Sequence, residues 1–213
     1  MKQFIEEQVP TIKQTTNGKK ILIACVPADG HFNPLTGIAV HLKSIGYDVR
    51  WYTSATYAHK LKKLNIPHYS FVKAMEVTAD NVDELFPGRK KAKGMVAKLN
   101  FDIKNFFIER APEYYEDIKA IHQSFPFDLM IADCCFTGLA FVVQKMKIPA
   151  IAMGIVPMMS RSKDLAPYGL GIVPSYSFFG KLKQGILRWV AENILFKPSS
   201  KVLDKLCKEH GLS

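Results

Sequence analysis

Short apolar runs alternate along the chain with longer amphipathic stretches, and turn residues separate them. Residues 20–27, KILIACVP, form the first such run and predict a strand. Behind it, Leu35, Ile38, Ala39, Leu42 and Ile45 recur at helical spacing. They predict a helix over residues 33–45, capped by Asn33, with Pro34 in its first turn and Gly46 as its stop. The pattern continues with a strand over 48–53, a helix over 55–64 and a third strand over 67–72. Residues 73–100 hold Pro-Gly, mixed charge and a weak pattern, and read as a mobile loop with helical pieces.

Ile103, Phe106, Phe107, Tyr114, Ile118 and Ile121 then mark one long amphipathic helix over 101–123, broken or bent near Pro112. The run FDLMIA, 127–132, is apolar throughout, as strands of a parallel sheet are when both faces are covered. A helix over 137–146, a fifth strand over 148–153 and a Gly/Pro/Ser-rich loop over 154–177 follow. Helices over 178–195 and 199–210 close the chain.

Strands alternating with helices imply right-handed βαβ units and an α/β fold with an open parallel sheet, in the order 3-2-1-4-5. The chain reverses direction between strands 1 and 4, and ligands of such sheets bind outside the carboxyl ends of those two strands. Residues 1–18 read as a leader before a single domain over 19–213.

Composition narrows the function classes. With 213 residues, 48% of them hydrophobic, the chain is long enough for a sizeable core, and no apolar run reaches bilayer-spanning length. The polar N-terminus has no signal-peptide core, which points to a cytoplasmic protein. Cys25, Cys134, Cys135 and Cys207 show neither C-x-x-C nor zinc-ligand spacing, so reduced thiols and no metal are expected. The net charge is +10, with basic clusters at Lys60, Lys62 and Lys63 and in RKKAKGMVAK, 89–98. No nucleic-acid motif accompanies them. A solvated face outweighs an anionic partner, and no nucleic acid is expected.

The predicted topology carries His31, after strand 1, and Asp133, after strand 4, to one crevice. A histidine beside a buried carboxylate is a base and its orienter: the carboxylate holds one ring nitrogen and leaves the other to take a proton. Against this stands the plainer reading, a hydrogen-bonded structural histidine and an aspartate that caps the next helix. The turn D-G-H-F-N-P lacks G-x-G-x-x-G, and strand 2 ends in Thr53 with no ribose-binding acid, which argues against a dinucleotide domain. Gly30 either lets a diphosphate approach the backbone or serves a tight turn. Ser160, Ser162 and Ser175 stand outside any G-x-S-x-G, which argues against a serine hydrolase.

VPADGHFNPLTGIAVHL, with G-H-x-x-P as Gly30, His31 and Pro34, resembles the N-terminal signature of family 1 glycosyltransferases of the GT-B fold, the UDP-glycosyltransferase and macrolide-type enzymes. DLMIAD resembles their second N-domain signature and puts Asp133 at the position of the histidine's partner. DLAPYGLGIVP, 164–174, is similar to bacterial members. The resemblance implies a Rossmann-like domain that binds the acceptor, facing a second domain that binds a nucleoside-diphosphate sugar such as a UDP-sugar as co-substrate. His31 would deprotonate an acceptor hydroxyl, Asp133 would balance its charge, and a hexosyl group would move with inversion and without a metal. The donor-binding signature is absent from the 213 residues, so half an enzyme is expected, inactive alone.

An apolar acceptor site, for a phenolic, macrolide or similar small molecule, is expected at Phe101, Phe106, Phe136, Met153, Ile155 and Met158, with plain core packing as the alternative for each. In 178–196, FFGKLKQGILRWVAENILF, the stripe Phe179, Leu182, Ile186, Val190 and Ile194 is expected to pack on this domain or on the missing one, ahead of a membrane surface. An exposed domain interface also invites pairing of two copies. Two other functions remain open: a non-catalytic binding module, and half of a lipid glycosyltransferase at a membrane.

Overall fold

In a computed structural model of the chain, residues 18–77, 81–156, 162, 164–167 and 171–213 are described. Five strands, β1 (Lys20–Ala24), β2 (Asp48–Tyr52), β3 (His68–Tyr69), β4 (Leu129–Asp133) and β5 (Ala150–Met153), form one parallel sheet in the order β3-β2-β1-β4-β5. That is the expected order. Ala24 pairs with Tyr52 on one side and Ala132 on the other, which brings the carboxyl ends of β1 and β4 level.

Alternation along the central strands divides the core between two faces. Leu22, Ala24, Tyr52, Met130 and Ala132 face α5 (Ala111–Ser124) and its Tyr114, Ile118 and Ile121. Ile21, Ile23, Trp51 and Ile131 face α1 (Asp29–Ser44) and its Phe32, Leu35 and Ala39. A sheet covered on both faces explains the near-continuous apolar runs of β1 and β4.

Several boundaries differ from expectation. α1 begins at Asp29 behind Ala28, so Asn33 lies inside the helix and caps nothing. Phe32 decides this: its ring stacks on Tyr57 at 4.5 Å and meets Trp51 at 4.7 Å, and burying it requires the first turn to be wound. Pro34 then forfeits a single bond, to the carbonyl of exposed Gly30, where water can substitute. α2 (Ala58–Lys63) follows one 3-10 turn, Ala55–Tyr57.

Residues 73–100 contain α3 (Val82–Leu85), a 3-10 turn at Pro87–Lys91 and the start of α4 (Met95–Asp102). The single helix expected over 101–123 is three pieces: α4, a π-helical segment Ile103–Ile108, and α5. The break falls at Glu109 and Arg110, ahead of Pro112, which sits in the first turn of α5 where its missing N–H costs nothing. α6 (Gly138–Phe141) and α7 (Phe178–Val190) likewise run into π-helical turns, and α8 (Lys197–Glu209) ends the fold. Residues 1–17 of the expected leader lie outside the described residues. Among the described residues no helix is long and apolar enough to cross a membrane.

Candidate active site

The level carboxyl ends of β1 and β4 carry the site. Asp133 is the last residue of β4, and His31 stands in the first turn of α1, which β1 leads into. Asp133 is fully buried, yet all its acceptors face donors. Oδ1 lies 2.9 Å from His31 Nδ1 and accepts the Cys135 N–H at 2.8 Å, while Oδ2 accepts the Val26 N–H at 3.0 Å. Three donors offset the cost of burying this carboxylate and fix its orientation. The side chain does not cap α6, which starts at Gly138 behind Thr137 without a side-chain cap. It links the turn after β4 to the turn after β1.

The His31 side chain is 18% exposed. With Nδ1–H donating to Asp133, Nε2 carries the free lone pair. Such a ring can take a proton, and the imidazolium so formed faces a carboxylate at 2.9 Å.

His31 opens on a cleft of about 220 Å³. It is lined by Val26, Pro27 and Ala28, from the turn between β1 and α1, by Phe106, Phe107 and Tyr114, and by Val77, Val82 and Arg89. The 72–75 backbone that leads to Val77 is tied down by two carboxylates. Buried Asp117 accepts the Tyr52 hydroxyl at 2.8 Å and the N–H groups of Val72, Lys73 and Ala74 at 2.9, 2.7 and 3.2 Å. Glu113 accepts the Met75 N–H at 2.9 Å. Arg89 brings no free charge to the cleft, because Asp102 binds its guanidinium at 2.7 and 3.0 Å and Asp83 at 3.3 Å. Burial raises the Tyr114 hydroxyl above its ordinary pKa, so it stays neutral.

The sequence-predicted site residues divide. His31 and Phe106 line the cleft. Gly30 is exposed in the first turn of α1, and a Cβ there would meet nothing within 4 Å, so no tight turn demands glycine. Phe101 is not among the cleft-lining residues and stands edge-on to Phe86 and Phe106. Phe136 is a core residue, stacked on Tyr114 at 4.6 Å, and shapes the cleft through that ring instead of facing it. Met153 ends β5 and packs on the α1 side of the core, and half-buried Ile155 follows it; neither lines the cleft. Met158 lies outside the described residues.

Sequence reasoning missed Tyr114 and Phe107 as cleft residues, although both stood in the predicted helical stripe. Val77 and Val82 lie in the weakly patterned region and gave no signal. Arg89 was hidden in a charge run whose Lys90, Lys91, Lys93 and Lys98 are indeed exposed.

Cys135 adds a thiol beside the pair: ligand atoms of His31, Asp133 and Cys135 lie within 4.8 Å of one another. Burial pushes the Cys135 thiol up to about 12, and both Asp133 oxygens already hold N–H donors, so a cation would compete with those bonds. All four cysteines are free thiols.

No protein-family model matches the chain. Over 198 residues it is 29% identical to 4'-demethylrebeccamycin synthase of Lentzea aerocolonigenes, an alignment that spans 92% of this chain and 46% of that protein. Over 173 residues it is 22% identical to UDP-glycosyltransferase 2 of Phaeomoniella chlamydospora, spanning 76% and 37%. The chain thus spans less than half the length of the curated relatives it matches. Among solved structures, the kitacinnamycin glycosyltransferase superposes with a TM-score of 0.58 at 13% identity, over 92% of this chain and 41% of that one. The glycosyltransferase SsfS6 of Streptomyces sp. SF2575, complexed with thymidine diphosphate, gives 0.55 at 13% identity, over 91% and 46%. In sequence and in its Rossmann-like fold, the chain is similar to the N-terminal part of a GT-B glycosyltransferase.

Proposed function

We propose that the chain is the acceptor-binding half of an inverting, metal-independent family 1 glycosyltransferase. His31 is its general base and Asp133 the partner of that base. The observation that carries the reading is a fully buried carboxylate holding His31 Nδ1 at 2.9 Å, at the mouth of an apolar cleft. A hydroxyl in the cleft gives its proton to His31 Nε2 as its oxygen attacks the anomeric carbon. The nucleoside diphosphate leaves from the opposite side, so the configuration inverts. Asp133 stabilises the imidazolium through the transition state.

The rings of Phe106, Phe107 and Tyr114 suit a small, largely apolar acceptor with a hydroxyl, such as a phenol or macrolide. The donor is a nucleoside-diphosphate sugar, bound through a second domain that faces this one. The thymidine diphosphate in SsfS6 and the UDP-dependent relative support that class without choosing the base. Gly30 gives the diphosphate open space at the first turn of α1. Without a donor domain the chain binds acceptor and turns nothing over.

The test mixes this chain with the C-terminal domain of a family 1 relative, a UDP-sugar or TDP-sugar and a panel of phenolic and macrolide acceptors, read by mass spectrometry. Transfer is expected in the mixture and not with the chain alone. His31→Ala is expected to lower it by about 10²–10⁴-fold with acceptor affinity retained. An unchanged rate in His31→Ala would remove His31 as the base.

A further inference from the structure

α7 is turned the wrong way round for a helix of a globular domain. At 100° per residue, Phe178, Trp189, Leu182, Ile186 and Phe179 fall within an arc of about 100°. Their exposures are 78%, 58%, 58%, 58% and 80%. The opposite side, which meets the protein, is Gly180, Gln184 and Ala191. Gln184, a polar residue, is the one buried in α7, and its Nε2 donates to the Ser175 carbonyl. Five large apolar side chains therefore face outward while an amide faces inward, and an aqueous surface does not sustain such a face uncovered.

Charge indicates what covers it. Lys181 and Lys183 are exposed on the two flanks of the apolar arc, as lysines stand on a helix lying in a lipid headgroup layer. From residue 171 to 213 the chain carries seven lysines and arginines against three acids, within a protein of net charge +10. Trp189, between Phe178 and Leu182 on the arc, is the side chain that best suits the boundary between headgroups and acyl chains.

We infer that α7 is a docking surface for an anionic lipid bilayer, with Phe178, Phe179, Leu182, Ile186 and Trp189 entering the acyl boundary and Lys181 and Lys183 on the headgroups. This makes the chain a peripheral membrane protein, held by one helix that lies in the interface. The second domain that the sugar-transfer reading requires is another partner able to cover this face: if the C-terminal domain of a family 1 relative binds the chain and Phe179→Glu abolishes that binding, the inference is overturned.

The two tryptophans supply the readout. Trp51 is fully buried in the core, so a change in indole emission on vesicle binding reports Trp189. The whole 213-residue chain is mixed with vesicles of phosphatidylcholine, or of phosphatidylcholine with about 30% phosphatidylglycerol. Flotation is read together with the emission maximum. Binding to the anionic vesicles is expected to be at least about tenfold stronger than to the neutral ones, with a blue shift, and to weaken as salt rises. Phe179→Glu is expected to abolish binding, and Lys181→Glu with Lys183→Glu to remove the anionic preference; both sit on the surface and leave the circular dichroism unchanged. Equal binding to both vesicle types, or to neither, overturns the inference. So does a concentration-dependent blue shift without vesicles that Phe179→Glu removes, since a second copy of the chain then covers the face.

Discussion

α1 and α7 are both amphipathic helices of similar length, and they use their apolar stripes in opposite directions. α1 turns Phe32, Leu35 and Ala39 onto the sheet, and the same helix then holds His31 against Asp133. α7 turns its aromatic residues to the outside and presents Gln184 to the protein. The contrast teaches that a hydrophobic period shows that a helix has an apolar face but not what lies against it. For α1 the sheet is within reach of a short turn. α7 follows the long stretch from 154 to 177 and sits away from both core layers.

Two phenylalanines put that contrast to a direct test. Phe32 is 1% exposed and Phe179 80%. Phe32→Ala is expected to cost about 3–5 kcal/mol in urea unfolding, and Phe179→Ala to change stability by less than about 0.5 kcal/mol. Comparable losses would mean that α7 is packed in solution and the contrast is void.

Asp133→Asn sharpens the α1 side. The amide keeps the shape of the carboxylate but offers one acceptor oxygen to two backbone N–H groups and His31, leaving at least one buried donor unpaired. Thermal melts should show a loss of about 1–3 kcal/mol, while the same change at exposed Asp204 should show almost none.

Alkali acts on the same interior. Burial pushes the Cys25 thiol from an ordinary 9.0 to about 12. Below pH 9.0 the thiol is protonated in both the folded and the unfolded chain. Between there and about 12 the unfolded chain releases its proton and the folded chain retains it. Stability therefore falls through that window by about 1.4 kcal/mol per pH unit for this group. Cys25→Ala should flatten the decline seen in urea midpoints taken across the window.

The smallest effect is expected at Gly30. A methyl there meets nothing within 4 Å and the site is helical, so Gly30→Ala should raise stability by up to about 1 kcal/mol. A fall in transfer without a fall in stability would show that the diphosphate needs the open space.

Much of the frame was legible from local pattern. The strands at Ile21 and Met130 announced themselves through runs that a parallel sheet buries on both faces, and the order of elements implied the crevice. His31 and Asp133 followed from that topology, 102 positions apart in sequence. The start of α1 was not legible: Asn33-Pro34 reads as a helix cap, and only the ring contacts of Phe32 explain why the helix starts four residues earlier. Likewise Phe136 and Phe106 are alike as sequence, yet one is stacked in the core and the other lines the cleft.

What the order of residues settled was periodicity and turn chemistry, because these depend on near neighbours: an α/β sheet in the order 3-2-1-4-5 with a histidine and an aspartate at its switch point. What required the folded chain was partnership between distant residues away from that switch point. Asp117 gathering Tyr52 and the 72–74 backbone, Arg89 neutralised by Asp102, and the outward face of α7 are of this kind. Such contacts join segments whose separation in sequence carries no information about their distance in space. They are decided by which surfaces of the sheet the rest of the folded chain leaves to be covered.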